Sequence, residues 1–521
     1  MSDRTVQTVV GMEVHVQLKT RTKLFCSCET RFGDVPNSHV CPVCLGMPGV
    51  LPVMNREAYR LAVMTALALG CRLAERTKWD RKHYYYPDLP KNFQISQYDM
   101  PLGEHGHLEI ETPDGDRKKI RILRVHLEED AGKLTHAEGG GNASEVDLNR
   151  TGTPLMEIVS QPDLRSVDEV RAYCTGLRQL VTYLGVSEAN MQMGHMRFEP
   201  NINLRITEDG GTAATPIVEL KNLNSFRAVE RAVAFEERRQ LDEWDEGRLT
   251  LEQAGKVTRG WNDDTGETFV QRQKEEAHDY RYFPEPDLVV VEPEVEWIEG
   301  IRAELPELPL AKKDRFVRDF GLSDYDAGVL TAHIEMARYY ERVAELSDAP
   351  KAAANWVTQG LLREINARGE TFYREAVAIT KREYDKAEDA IADVAEVMGP
   401  QFMQLAPHLV VSAEKLAELV SAVEAGTVNK QAGDKVLKGM IETGRPAAEI
   451  IEAEGLAQTS DTAELEKWIE EAIAANPGPA ADVRAGKKKA LGRIMGHIMK
   501  ASRGKANPRV VTELLEKKLA P

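Results

Sequence analysis

The chain has 521 residues, a mass of 58.1 kDa, a formal net charge of −17 and a pI near 5.4. Hydrophobic residues make up 42% and charged residues 29%, a globular composition that excludes a disordered or collagen-like chain. No apolar run approaches the roughly 18 residues needed to cross a bilayer, and the N-terminus shows no cationic segment followed by an apolar one, so no signal peptide and a cytoplasmic location are expected.

At about 150 residues per domain the length predicts roughly three domains. From about residue 5 to 295 the pattern is mostly short strands broken by Gly, Pro and Asn. Gln7 to Leu18 alternates, with Val10, Met12, Val14, Val16 and Leu18 on one face and Glu13, His15 and Gln17 on the other. Helical stretches are expected over Arg56 to Leu69, Ser166 to Leu184 and Arg227 to Glu243. Ile120 to Asp130 reads as a strand carrying Arg124, His126, Glu128 and Asp130 at even positions. Asn201 to Thr207 places Asn203 and Arg205 opposite an apolar face, and Pro216 to Lys221 puts Glu219 and Lys221 together. The mix predicts an α+β domain on a mainly antiparallel sheet with one polar face. From about 300 the strand patterns disappear and helical spacing runs to the end. A first helical block reaches about 372 and a second follows it, with Asn507 and Pro508 as N-cap and first residue of the last helix.

The negative charge is unevenly spread. Residues 484–521 hold eleven Lys and Arg against two acids, a local charge of +9, which leaves −26 on the preceding 483 residues. Lys487, Lys488, Lys489, Arg493, Lys500, Arg503, Lys505 and Arg509 continue over several helical turns. This basic end is expected to meet a nucleic acid, although a solvated helix face is the simpler account of any one lysine run.

Four of six cysteines fall in one 19-residue window, Cys26 and Cys28 followed by Cys41 and Cys44. Two such pairs can supply four thiolates to a tetrahedral zinc ion, and with no open ligand position the site would be structural. A redox pair would need only Cys41 and Cys44. Cys71 and Cys174 read as core residues in helical patterns.

Glu13 and His15 on one strand, with Glu128 and Glu219 on others, would gather acidic oxygens that repel unless a cation sits between them. Mg²⁺ prefers such ligands and brings nucleotide phosphates. Arg124, Arg150, Arg205, Lys221 and Arg281 are available to hold those phosphates. The sequence contains no P-loop, no dinucleotide-binding glycine fingerprint, no HExxH and no GxSxG. His83 to Lys91 and Asp279 to Pro284 offer aromatic rings beside basic groups, suited to stacking a base of an RNA end or to ordinary loop packing. His136 to Ser144, rich in glycine, reads as a hairpin loop or lid.

These segments carry a resemblance. Gly11 to Leu18, Tyr86 to Gln97, His126 to Lys133, Asp147 to Val159, Glu219 to Phe226 and Glu275 to Asp287 occur in the order of their counterparts in another family. Through them the chain resembles the B subunits of the tRNA-dependent amidotransferases, the GatCAB complexes. The resemblance implies a glutamine-synthetase-like catalytic cradle over 1–300 with a zinc-binding insertion at 26–44. It implies a helical linker over 301–372 and a YqeY-like helical tail over 373–521 that binds tRNA. It further implies ATP- and Mg²⁺-dependent phosphorylation of the side-chain carboxylate of Glu-tRNA(Gln) or Asp-tRNA(Asn), then displacement of phosphate by ammonia. On the family's pattern Glu13, His15, Glu128 and Glu219 are magnesium ligands, and Arg150, Glu157 and Lys221 lie near phosphate or substrate. Cys26, Cys28, Cys41 and Cys44 match its zinc site. The chain has no amidase signature, so ammonia is expected from an amidase A subunit, with a small C subunit holding the two together. The alternative is a non-catalytic, zinc-stabilised tRNA-binding scaffold, which has no need of Glu13, His15 or Glu128.

Overall fold

The computed structural model describes residues 4–136, 143–273, 280–364, 411–459, 462–502 and 505–519. The chain forms two compact units, Met1–Leu308 and Pro309–Pro521. The glycine-rich loop, Glu275 to Asp279 and the expected division at 372 fall largely or wholly outside the described residues.

The first unit carries strands β1 (Thr5–Gln17), β2 (Arg72–Leu73), β3 (Asp80–His83), β4 (Phe93–Ser96), β5 (Gly103–Glu111), β6 (Arg117–Glu129), β7 (Lys133–His136) and β8 (Ser144–Asp147). They are followed by β9 (Pro154–Ser160), β10 (Met196–Glu208), β11 (Gly211–Ala214), β12 (Ile217–Lys221), β13 (Lys256–Asn262), β14 (Glu267–Gln273) and β15 (Phe283–Pro284). Ten of these form one sheet in the order β14-β13-β12-β10-β1-β9-β6-β5-β2, with β11 beside β10. Every described pairing in it is antiparallel except β12 with β13. Strands β15, β3 and β4 make a second, small sheet.

The alternation of β1 decides the two faces of the large sheet. Val10, Met12, Val14 and Val16 are fully buried on its back. There they join residues of α2 (Arg56–Ala68), α3 (Val167–Tyr183) and α4 (Phe226–Gly247), numbered after the single-turn α1 (Pro42–Leu45), in one core. Each such buried side chain contributes roughly 1.5–3 kcal/mol, so stability is concentrated behind the sheet and the front face is left for polar groups. Side-chain caps fix where the helices begin. Ser166 Oγ accepts from the Glu169 amide at 3.2 Å, and Ser225 Oγ from that of Ala228 at 3.0 Å.

Two local expectations change. Strand β10 begins at Met196, five residues before the expected Asn201, because Pro200 is accommodated within it opposite Met12. Cys174 is buried inside α3, but Cys71 lies past the end of α2, just before β2.

In the second unit the described elements are helical. One core joins Phe316, Tyr340, Trp356 and Leu361 with Leu416, Val420, Val436 and Leu437. A smaller core holds Leu465, Ile469, Ile494, Ile498, Val511 and Leu515. The last helix, Pro508–Lys518, starts as expected, with the Asn507 side chain accepting from the Arg509 amide at 3.0 Å. Among the described residues no helix is long and apolar enough to cross a membrane.

Candidate functional site

Register assembles the polar front face from strands far apart in sequence. His15 of β1 lies between Glu157 of β9 and Arg197 of β10, and Glu13 lies beside Glu199. His126 of β6 faces Glu157 from its other side, and Asn201 of β10 brings in Glu219 of β12. Neighbours in register share a face, so Glu13, Glu128, Glu157, Glu199 and Glu219 converge with His15 and His126. Three overlapping groups have ligand atoms within 4.8 Å of one another: Glu13, His15 and Glu157; His126, Glu128 and Glu157; Glu13, Glu199 and Glu219.

The electrostatics are those of a site short of positive charge. His15 Nε2 lies 3.5 Å from Glu157 and 3.7 Å from Glu128, while its Nδ1 is 4.0 Å from Glu199. Burial alone would lower its basicity, but contact with Glu157 and the charges of Glu199, Glu157 and Glu128 outweigh that and push it up to about 9. His126 sits at 3.5 Å from Glu157 and 3.7 Å from Glu128. Burial works against ionisation of Glu157, yet His126, His15 and Lys82 hold its carboxyl well below the usual range. Lys221 donates to Glu199 at 2.5 Å and stands 3.7 Å from Glu219. Thr258 Oγ1 donates to Glu219 at 2.8 Å and Ser96 Oγ to Glu128 at 3.2 Å. Even so, His15 Nδ1, His126 Nδ1 and Glu157 Oε1 are buried without a hydrogen-bond partner. Orphaned atoms in a nest of carboxylates suit a divalent cation, and the Glu13, Glu199, Glu219 group is the all-oxygen donor set that Mg²⁺ prefers.

Of the expected phosphate-holding cations, Lys221 and Arg124 reach this floor, Arg124 Nη2 standing 3.6 Å from Glu157. Arg150 sits at its rim, bonded to the carbonyls of Ala131 and Gly132 and 3.6 Å from Asp130. Arg205 is exposed opposite Gln7, six residues and so about 20 Å of strand from Glu199. Arg205 therefore lies away from the carboxylates. Arg281 is also exposed, with its guanidinium 5.6 Å from the Tyr85 ring centre.

Several members escape sequence reasoning. Glu199 and Arg197 continue the alternation of Asn201, Asn203 and Arg205, but Pro200 makes the strand read as starting later. His126 stands out in the sequence only as one step of an alternation. Lys82 on β3 carries its charge to Glu128 and Glu157 and also lies 4.9 Å over the Tyr280 ring. The two aromatic segments meet here: Tyr84 contacts Tyr280 at 6.3 Å, and His83 stacks on Phe283 at 5.0 Å.

The cysteine cluster is a second centre. Cys44 Sγ lies 3.7, 3.8 and 3.9 Å from the sulfurs of Cys26, Cys41 and Cys28. A metal–sulfur bond of about 2.3 Å gives a tetrahedron with edges of about 3.8 Å, so the four sulfurs are spaced to bind a metal such as zinc. Gly46 caps α1 in the left-handed region (φ 63°), and a Cβ there would meet Lys91 at 2.5 Å. Lys23 Nζ donates to Cys44 Sγ at 3.4 Å. The Cys44 thiol is lowered to about 4, chiefly by its bond with Cys26 and aided by Lys23, while burial raises Cys28 to about 11. One easily formed thiolate among four sulfurs is a starting point for metal capture.

In the second unit Lys487, Lys489, Arg493, Lys500 and Lys505 are exposed, with Lys487 paired to Asp482 at 3.0 Å. The Lys488 side chain and Arg503 lie outside the described residues. Ile494 and Ile498 turn into the small core, so the helix Leu491–Ala501 has an apolar inner face and a cationic outer one.

Comparison with known proteins agrees with this architecture. Residues 8–299 match the GatB/GatE catalytic domain and residues 338–519 the Yqey-type GatB domain. The B subunit of the aspartyl/glutamyl-tRNA(Asn/Gln) amidotransferase from Moorella thermoacetica is 47% identical over 517 residues, 98% of this chain and 99% of its own. Those of Carboxydothermus hydrogenoformans and Geobacter sulfurreducens are 45% and 46% identical, covering 99% and 98% of this chain and 99% of each relative. The chain therefore belongs to the GatB/GatE family, the B subunits of the aspartyl/glutamyl-tRNA(Asn/Gln) amidotransferases.

Proposed function

We propose that this chain activates the side-chain carboxylate of Glu-tRNA(Gln), Asp-tRNA(Asn) or both with ATP, and then amidates it with ammonia derived from glutamine. It works in a cytoplasmic heterotrimer whose other members are a small C subunit plus the amidase A subunit. The observation that carries the reading is the front-face floor: five carboxylates with buried, orphaned nitrogen and oxygen atoms among them. A solvated scaffold surface has no reason to hold them there.

A carboxylate lacks a leaving group. Transfer of the γ-phosphoryl group to one of its oxygens releases ADP and gives an acyl phosphate. Ammonia then adds to the acyl carbon, inorganic phosphate leaves with the electron pair of the C–O bond, and the nitrogen loses a proton to give the amide. Glu13, Glu199 and Glu219, with His15, Glu128 and Glu157 beside them, are the residues that would hold magnesium. When bound, magnesium would neutralise phosphate charge and favour an in-line approach. Lys221 and Arg124 offer fixed positive charge to phosphate oxygens, and Arg150 does so from the rim. Lys82 balances Glu128 and Glu157, and its tyrosine neighbours supply ring faces for an RNA end. The cysteine cluster would hold structural zinc, and the exposed cations of the last helices would meet the tRNA backbone.

The reconstituted complex, given Glu-tRNA(Gln) and Asp-tRNA(Asn) in parallel, should release phosphate from ATP only when a misacylated tRNA is present. Its amidated product identifies which substrate is used. Phosphate release with neither tRNA, or none with both, would count against the reading.

A further inference from the structure

The front-face floor does not stop at Lys221. Lys221 lies beside Gly260 of β13, and Gly260 beside Phe269 of β14. Register neighbours share a face, so Phe269 looks out on the same side as Glu219 and Lys221, across two strand spacings or about 10 Å of sheet. The next residue, Val270, turns to the back and lines a cavity with Trp244 and Leu249.

Gly260 is where the close approach occurs. A Cβ added there would stand 2.7 Å from Phe269 Cζ and 2.5 Å from Gln271 Nε2. Ring and amide therefore rest directly on bare backbone, and glycine is needed for proximity because no left-handed φ is involved. A register shift between Thr258 and Arg259 adds Gln271 to this side of β14. Although seated in this way, Phe269 stays 46% exposed and touches no other ring among the described residues. It is a half-bare aromatic at the end of a charged floor, with an amide able to donate and accept beside it.

We propose that Phe269, seated on Gly260 with Gln271 alongside, is a stacking platform for a purine base whose attached phosphate reaches Lys221. The inference rests on reading the floor as a phosphoryl-transfer site. Charge supports this occupant: Lys221 and the carboxylates suit phosphate and cation at one end, and the ring suits an uncharged π-face at the other. Two sources share that chemistry, ATP itself and a terminal adenosine of the bound RNA.

The test uses the assembled complex and measures equilibrium binding of ATP without tRNA, and of Glu-tRNA without ATP. Phe269→Ala should weaken one of these about tenfold, the scale of a lost base stack, while Phe269→Trp stays near wild type. Gly260→Ala, which pushes the ring off its seat, should weaken the same ligand by a smaller factor. Unchanged thermal unfolding establishes that the variants fold. Weakening of ATP assigns the platform to the nucleotide, and weakening of tRNA alone assigns it to the RNA's adenosine. Unchanged affinity for both in Phe269→Ala would overturn the platform. A wild-type complex that fails to bind ATP would instead overturn the reading of the floor, leaving the RNA measurement to decide the platform.

Discussion

Among the described residues two clusters are competent for metal, and they are built on opposite plans. The cysteine cluster is local, soft and closed: four sulfurs from one short window, three of them 3.7–3.9 Å from that of Cys44, with no further ligand needed. The carboxylate floor is non-local, hard and open. Its members come from strands between residues 5 and 221, and Glu157 and both histidines keep unpartnered atoms. A closed site holds structure, whereas an open one leaves positions for water and phosphate.

The largest expected effect concerns the floor. Glu128→Gln or Glu13→Gln keeps the side-chain volume and removes a charge from the open site. ATP-dependent phosphate release in the reconstituted complex should drop by about 10³-fold or more, with tRNA affinity within about twofold of wild type. Turnover at the wild-type rate in both variants would remove the floor from the chemistry. In the closed cluster Cys44→Ala should abolish stoichiometric zinc, as read by elemental analysis. It should lower the unfolding temperature by about 5 °C or more. Phosphate release from the protein that remains folded should fall far less than in Glu128→Gln. Equal losses would erase the distinction between the two centres.

A further variant probes the rim of the floor, where Arg197 lies beside His15. Arg197 Nη2 binds Asp130 at 2.9 Å, and only 4% of that side chain is exposed. Burial disfavours the charged carboxyl, but Arg197 and Arg150 still hold Asp130 below the usual range. Arg197→Ala leaves that charge buried with less compensation, at a cost of about 3 kcal/mol, measured by denaturant unfolding. A carboxyl lowered on folding contributes stability above its unfolded value near pH 4, and that contribution is lost as pH falls through the folded value. Wild-type stability should therefore drop more steeply in acid than that of Arg197→Ala.

How much of this is legible in the sequence depends on distance along the chain. The clustering of the cysteine pairs, the β1 alternation and the Asn507 cap are local, and close-range rules reach them; the caps at Ser166 and Ser225 obey the same rules but emerge with the structure. The front face itself is visible in the alternation of Glu13 and His15. Its full membership is not, because register between β1, β9, β10 and β6 is decided by packing of the back face, which no single strand reveals. Pro200 conceals Glu199 and Arg197, since proline normally demotes a strand. Charge alone draws Arg205 towards phosphate, but the length of β10 places it opposite Gln7, six residues along the strand from Glu199. Lys82 is hidden among tyrosines because its partners, Glu128 and Glu157, lie more than forty residues away.

The smallest expected effect belongs to a surface that is neither closed nor convergent. Lys489, Arg493 and Lys500 point to solvent, while Ile494 and Ile498 of the same stretch complete a core with Val511 and Leu515. Deleting residues 484–521 would remove that core along with the charge and confuse folding with binding. Replacing Lys489, Arg493 and Lys500 by glutamine leaves the apolar face intact. If these cations meet RNA phosphates, the slope of log affinity for tRNA against log salt should shrink by roughly two to three, since each neutralised phosphate contributes about 0.7–0.9. Unfolding temperature and phosphate release at saturating tRNA should not move. An unchanged slope would make this a solvated helix face, and the tRNA would then have to be held by the unit that carries the carboxylates.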